Sequence, residues 1–146
     1  MKTFKNILCP YDFSEYADEA LLFAFKLADK ETTITLANAI QVPYSIDPYG
    51  FTYFDSSAED IKKSSNEALD KKTAALKEKH PDLNINYKSE VIYDPAEFIL
   101  KTQKEGHYDL LVIGSHGRKG LSRLLMGSVA ESVLREATCP VVIIKK

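Results

Sequence analysis

The chain has 146 residues, a formal net charge of -2, and is 45% hydrophobic and 27% charged. That length fits one domain, residues 1–146, and the composition is that of a folded chain rather than a disordered one. The near-neutral balance argues against a dedicated nucleic-acid binder, which carries a basic excess, and no apolar run approaches the ~20 residues of a membrane span.

The elements alternate along the chain. Residues 4–10 hold the short apolar run Ile7-Leu8-Cys9 closed by Pro10, a buried strand. Ala17, Ala20, Leu21, Ala24, Leu27 and Ala28 then recur at helical spacing. Residues 32–40 (TTITLANAI) start β-branched and read as a second strand. Residues 41–55 read as an irregular stretch carrying Tyr44, Tyr49, Phe51, Tyr53 and Phe54. A loop of that length inside a compact domain is uncommon. Two roles fit its aromatics: packing on the domain's own flank, or covering a ligand or partner.

Residues 57–79 form a lysine- and glutamate-rich helix with Ile61, Ala68, Leu69, Ala75 and Leu76 on one side, stopped at His80-Pro81. Residues 83–92 alternate in part and read as a third strand. Asp94-Pro95-Ala96-Glu97 is a helix start: a capping aspartate, a proline in the first turn, and a glutamate three residues after the cap. Leu110-Leu111-Val112-Ile113 is a continuous apolar run, the pattern of a strand covered on both faces. Ser128 with Glu131 has the spacing of a capping box, followed by the apolar stripe Ala130, Val133, Leu134, Ala137. Residues 141–144 are a last apolar strand. Strands alternating with helices in this way predict an α/β fold with a parallel sheet and helices on both faces.

The two cysteines, Cys9 and Cys139, lie far apart in no metal-type spacing. They read as small buried residues. The opening residues lead into an apolar stretch too brief for a signal-peptide core. A reduced, cytoplasmic setting is expected.

In an open parallel sheet, ligands bind beyond the carboxyl ends of the strands. Two stretches lie in such positions: Pro10-Tyr11-Asp12-Phe13-Ser14 after the first strand, and Gly114-Ser115-His116-Gly117-Arg118-Lys119-Gly120 after the fourth, continuing to Gly127-Ser128. Glycines let backbone N–H groups approach a ligand, and a helix start offers unpaired N–H groups with partial positive charge. Together they suit a phosphate. A tight turn at Gly114 and a plain capping box at Ser128 account for the same residues without a ligand. All three arginines, Arg118, Arg123 and Arg135, fall in this C-terminal region, and arginine is the preferred phosphate clamp. His116 reads equally as a phosphate contact or as an exposed loop histidine. Neither a Walker-type G-x-x-x-x-G-K-[ST] loop nor a G-x-G-x-x-G dinucleotide fingerprint is present.

Gly114-Ser115-His116-Gly117, nine residues, then Gly127-Ser128 resembles the G-x2-G-x9-G-[ST] motif of the ATP-binding branch of the universal stress protein family. The opening Ile7 to Ser14 and the closing Cys139 to Ile144 are similar to that family's first and last strands. The resemblance covers the whole chain. It implies a three-layer α/β/α sandwich, Rossmann-like and of the adenine nucleotide alpha hydrolase type, with a five-stranded parallel sheet ordered 3-2-1-4-5. It implies ATP, or ADP or AMP, with magnesium across the phosphates, and homodimers formed through Val141 to Ile144. By the same resemblance Asp12 holds the ribose, and Pro10, Ala39 and Ile113 lie around the nucleoside. Gly114, Gly117, Gly127, Ser128 and the N–H of Val129 cradle the phosphates; Arg118, from the arginine distribution rather than the resemblance, is expected beside them. Valine often stands where this chain has Ala39, and a hydroxyl residue where it has Ala130.

Within the capping options, Asp12 with Glu15 fits a capping box and Ser14 is a rival cap; if Ser14 caps, Asp12 is available to a ligand. The function expected is a nucleotide-dependent switch with slow or no hydrolysis. The competing reading is a dimeric interaction module using the aromatic stretch. An adenylyl transferase is disfavoured, because relatives of that type carry Ser-Gly-Gly where this chain has Pro10-Tyr11-Asp12.

Overall fold

The computed structural model describes residues 4–118 and 125–146. Lys119, Gly120 and Arg123, part of the basic glycine-containing stretch noted above, lie outside the described residues. The elements run β1 (Asn6–Pro10), α1 (Glu15–Leu27), β2 (Thr33–Ile40), β3 (Tyr44–Ile46), β4 (Thr52–Phe54), α2 (Ala58–Lys79), β5 (Asn84–Val91), α3 (Pro95–Glu105), β6 (Leu110–Gly114), α4 (Ser128–Glu136) and β7 (Val141–Ile144).

Five strands form one parallel sheet in the order β5-β2-β1-β6-β7. This is the 3-2-1-4-5 order expected when only the sheet strands are numbered. Pleating sends alternate residues to opposite faces. Ile7 and Cys9 of β1, Ile34 and Leu36 of β2, and Leu110 and Val112 of β6 pack under Ala17, Ala20, Leu21 and Ala24 of α1 and Leu69 and Leu76 of α2. Leu8, Ala37, Leu111 and Ile113 face the other way, against Phe98 and Ile99 of α3 and Ala130 and Val133 of α4. The sheet centre is therefore dry on both sides. Each fully buried leucine or isoleucine there contributes roughly 1.5–3 kcal/mol.

Local chemistry sets the helix ends. Ser14 caps α1, its Oγ accepting from the Ala17 N–H at 3.1 Å. Asp94 caps α3, accepting from the Ala96 N–H at 2.9 Å, with Pro95 in the first turn as expected. α2 is largely solvated; its buried residues are Leu69, Thr73 and Leu76. Ala75, expected on the apolar side, is exposed; Thr73, four residues after Leu69 and three before Leu76, is buried instead, its hydroxyl satisfied by the Leu69 carbonyl at 2.8 Å.

Two expectations are corrected. Residues 41–55 are not irregular: β3 and β4 form an antiparallel hairpin, Tyr44 opposite Phe54 and Ile46 opposite Thr52. Asp47 organises its tip, Oδ1 accepting from the N–H groups of Tyr49 and Phe51, both at 2.9 Å, while Gly50 takes φ +88. The aromatics do not pack on the flank; Tyr49 is 86% and Phe51 65% exposed. Tyr44 alone meets a neighbour's ring edge-on, that of Tyr93, at 4.7 Å among the described contacts. The second correction is at α4. Gly127, extended at φ -62 and ψ 151, is the N-cap, Ser128 is the first helical residue, and among the described residues no side chain caps the helix. The Ser128–Glu131 capping box does not form, because the Gly127 carbonyl accepts the Glu131 N–H at 3.0 Å and the Glu131 carboxylate pairs with Arg135 at 2.6 Å.

Gly114 ends β6 directly beneath α1. A Cβ there would lie 2.7 Å from Tyr16 Cβ and 2.8 Å from the Tyr16 backbone. Gly114 thus lets α1 approach the sheet. Gly114→Ala is expected to destabilise the protein by about 1–3 kcal/mol, the usual cost of overpacking. Urea denaturation checks this; an unchanged midpoint refutes it.

Candidate functional site

β1 has β2 on one side and β6 on the other, so the chain leaves this end of the sheet in divergent directions and opens a crevice there. The segments after β1 and β6, the end of β2 and the start of α4 line it.

Beyond Pro10, Tyr11 donates its N–H to the Ala37 carbonyl at 2.8 Å. The Asp12 carboxylate then holds two segments together. Its Oδ1 accepts the Ser14 N–H at 3.0 Å and its Oδ2 accepts the Arg118 N–H at 3.1 Å. Arg118 returns the contact through its side chain: Nε donates to the Asp12 carbonyl at 2.7 Å, and the guanidinium lies 5.9 Å from the Phe13 ring centroid. Phe13 has φ +63, a left-handed conformation strained for a bulky residue.

The other wall starts at Ile113, 5% exposed, and Gly114. Ser115 donates its N–H to the Ile144 carbonyl and accepts the Gly127 N–H, both at 2.8 Å, so the segment from 115 to 127 is closed at its base. A Cβ on Gly117 would lie 2.8 Å from Asp12 Oδ2, and one on Gly127 would lie 3.2 Å from the Ser115 carbonyl oxygen. The first N–H groups of α4 face this region without intrahelical partners. Ala39 and Val129 pack against the same apolar cluster as Ile113, and Pro10 pairs in register with Ala37, which belongs to it.

Of the residues expected from sequence, Asp12, Gly117 and Arg118 are in direct contact. Gly127, Ser128 and Val129 form the adjoining helix start, and Pro10, Ala39, Ile113 and Gly114 end the strands below. His116 shares a hydrogen bond with the Ser115 hydroxyl through Nδ1 at 2.9 Å, and its ring tilts against Tyr16 at 5.1 Å. No group of three or more His, Cys, Asp or Glu side chains suited to a metal occurs among the described residues. Cys9 is buried and Cys139 half-buried, both free thiols. Burial pushes both thiols above their usual range. No helix among the described residues is long and apolar enough to cross a membrane.

Sequence reasoning missed the support beneath the crevice. Tyr11 is 3% exposed, and its hydroxyl donates to Asp18 Oδ1 at 2.7 Å. Lys72 of α2 reaches the same oxygen at 2.9 Å and stands 5.4 Å from the centre of the Tyr11 ring. Burial pushes the Tyr11 hydroxyl up to about 12, with the Asp18 hydrogen bond adding to it. For Asp18, burial opposes the charge, but the bonds from Tyr11 and Lys72 outweigh it and hold the carboxyl below its ordinary value. Asn38, the one amide within the buried strand β2, donates from Nδ2 to the Tyr11 carbonyl at 2.8 Å. An amide near the end of a buried strand, among Leu36, Ala37, Ala39 and Ile40, was the available signal.

The arrangement is a three-layer α/β sandwich with a glycine loop and a helix start at its switch point. The model of the Universal stress protein family matches residues 3–145, and the chain belongs to that family. Universal stress protein MJ0577 of Methanocaldococcus jannaschii is 29% identical over 162 residues, covering 98% of this chain and 96% of that protein. Its solved structure matches with a TM-score of 0.76 at 25% identity, covering 99% and 98% of the two chains. A family protein from Arabidopsis thaliana, solved with AMP bound, matches with a TM-score of 0.63 at 19% identity over 97% and 92%. A universal stress protein solved in complex with cAMP matches with a TM-score of 0.57 at 20% identity over 98% of each chain. At such identities the last two share the fold.

The depressed Asp18 carboxyl has a pH consequence. A group whose folded value lies below its unfolded one, here near 3.8, stabilises the fold above that pH and ceases to as it becomes protonated. The stability gap between the protein and Asp18→Asn is expected to be under about 1 kcal/mol at neutral pH, since the pair is partly exposed. It narrows as the pH falls below about 3.8 and the wild-type carboxyl in the folded protein becomes protonated in its turn. Urea midpoints across that range check this; a gap that widens on acidification refutes it.

Proposed function

We propose that this chain binds an adenine nucleotide in the crevice at the carboxyl ends of β1, β2 and β6, and that the ligand acts as a switch with slow or no hydrolysis. In this reading Asp12 accepts hydrogen bonds from the ribose hydroxyls. Pro10, Ala39 and Ile113 flank the nucleoside. Gly114, Gly117, Arg118, Gly127, Ser128 and the Val129 N–H surround the phosphates of ATP, ADP or AMP.

The observation that carries the reading is the uncapped start of α4. Its N-cap is Gly127, which brings no side-chain cap, and among the described residues no side chain, the Ser128 hydroxyl included, bonds to its first N–H groups. These donors adjoin a loop whose Gly117 leaves no room for a Cβ beside Asp12. Unpaired N–H groups, the helix dipole and a bare glycine backbone suit a phosphate. Support also comes from the family members solved with AMP and with cAMP. Magnesium in this reading rides on the phosphate oxygens and keeps several waters, as that ion commonly does, with little ligation from the chain. The opposite walls of the site, Asp12 and the α4 start, match the two ends of a nucleotide: polyhydroxyl and anionic.

The same reading pairs two copies through Val141 to Ile144. Its support is that β7 is an edge strand with β6 as its one neighbour in the sheet, and an open edge offers unpaired backbone groups to a second chain. The exposed aromatic hairpin favours a second reading, in which protein contact through residues 44–54 is the primary role.

Ligand content decides between these. Protein purified without added nucleotide and then denatured is expected to release an adenine nucleotide by mass spectrometry, or to bind ATP on calorimetric titration. Gly117→Val is expected to weaken ATP binding at least about tenfold, or ~1.4 kcal/mol, with an unchanged circular dichroism spectrum. Equal ATP affinity in the variant and the parent sinks the assignment of the loop. Sedimentation is expected to give the mass of two chains; a monomer at every concentration overturns the pairing.

A further inference from the structure

Asn38 sits near the end of β2 and is 5% exposed. It lies on the side of the strand that carries Ile34 and Leu36 toward α1 and α2. Its Oδ1 is buried and has no hydrogen-bond partner among the described residues. An apolar side chain at this place would leave no acceptor unpaired, so the amide is there at a cost. Only its donor is in use, on the Tyr11 carbonyl at 2.8 Å.

That bond falls where the ladder between β1 and β2 runs out. The last registered pair is Pro10 with Ala37. One residue on, the Tyr11 N–H is held by the Ala37 carbonyl and the Tyr11 carbonyl by the Asn38 side chain. The amide therefore extends the ladder by one step, and it grips the peptide that leads into Asp12. The next residues need such a grip. Phe13 is held at φ +63, and a strained residue persists only where its surroundings over-determine it. Between the grip and the strain stands Asp12, its two oxygens aimed by the Ser14 and Arg118 N–H groups.

We infer that Asn38 is a positioning residue for the Asp12 carboxylate: through the Tyr11 carbonyl it sets where the ribose-binding group stands, and so controls discrimination between ribo- and deoxyribonucleotides. This rests on the nucleotide reading above. Asn38 touches no ligand in it. It acts by fixing a backbone, as supporting hydrogen bonds fix the groups of a built site.

The test compares ATP with 2′-deoxyATP by calorimetry for the parent protein, Asn38→Ala and Asn38→Asp. Alanine deletes the donor; aspartate keeps the shape but sets an acceptor against the Tyr11 carbonyl. The parent is expected to prefer ATP. Both variants are expected to lose roughly tenfold in ATP affinity, the scale of a supporting hydrogen bond, and most of the ribose preference. A variant that is merely less stable keeps the affinity ratio once folded, as thermal melts establish. A parent that binds neither nucleotide overturns the nucleotide reading and this inference with it. A parent that prefers ATP beside variants that keep the same preference overturns the inference alone. Should neither variant fold, nuclear magnetic resonance of the parent decides: the Asn38 side-chain amide protons must exchange slowly, with and without ATP. Rapid exchange of those protons overturns the grip on Tyr11.

Discussion

The parallel pairing of β1 with β2 on one side and β6 on the other is the constraint from which the rest follows. Parallel neighbours need crossover connections. From β1 the chain crosses by α1 over one face to β2. It reaches β6 by way of α3, which packs on the opposite face. The two connections part at the end of β1, and a crevice is left where they part. Both walls of that crevice are backbone at strand ends or a helix start, so the fold delivers N–H groups and carbonyls there before any side chain is specified. Asp12 is the charged side chain that then bridges the walls, reaching Arg118 across 106 residues of sequence.

The glycines of the β6–α4 connection divide by physical task, although their spacing makes them look alike. Gly114 is short of room because of the Tyr16 backbone, Gly117 because of the Asp12 carboxylate, and Gly127 because of the Ser115 carbonyl. The first serves helix packing on the core. The second admits a loop against a charged group. The third lets the chain turn into α4 while its N–H closes the loop base on Ser115. A shared motif thus carries three separate constraints, and the same substitution at each is expected to fail for a different reason.

What the sequence made legible follows the same physics. Leu110 to Ile113 is readable as a strand because cover on both faces demands an unbroken apolar run. The start at Asp94-Pro95 is readable because a cap is a local interaction. The hairpin of β3 and β4 was not, since three-residue strands exposed on both faces carry no alternation; the Asp47 to Gly50 tip was its one local sign. The cap of α4 is not legible in the Ser128–Glu131 spacing, because a serine and a glutamate form a box only if the serine stands outside the helix. Here Gly127 takes that place. Asn38 was invisible as a functional residue because its partner, the Tyr11 carbonyl, is 27 residues away and is met only once β1 and β2 pair.

The contacts of Asp12 bear on how a ligand would enter. A carboxylate has about four acceptor positions, and the Ser14 and Arg118 N–H groups take one on each oxygen. Ribose hydroxyls can therefore bind without displacing either. The Arg118 side chain is in a different position. Its Nε is committed to the Asp12 carbonyl, away from any phosphate at the α4 start. Recruiting the guanidinium to a phosphate exchanges a charge-assisted bond to a carbonyl for one to an anion, which is the stronger of the two. Under the nucleotide reading such an exchange would leave the Arg118 N–H on the Asp12 carboxylate and move only the Arg118 side chain. The Arg118 guanidinium lies 5.9 Å from the Phe13 ring centroid, and Phe13, at φ +63, is the strained residue of the segment that follows β1, so the side chain such an exchange would move rests against the strained point of the crevice.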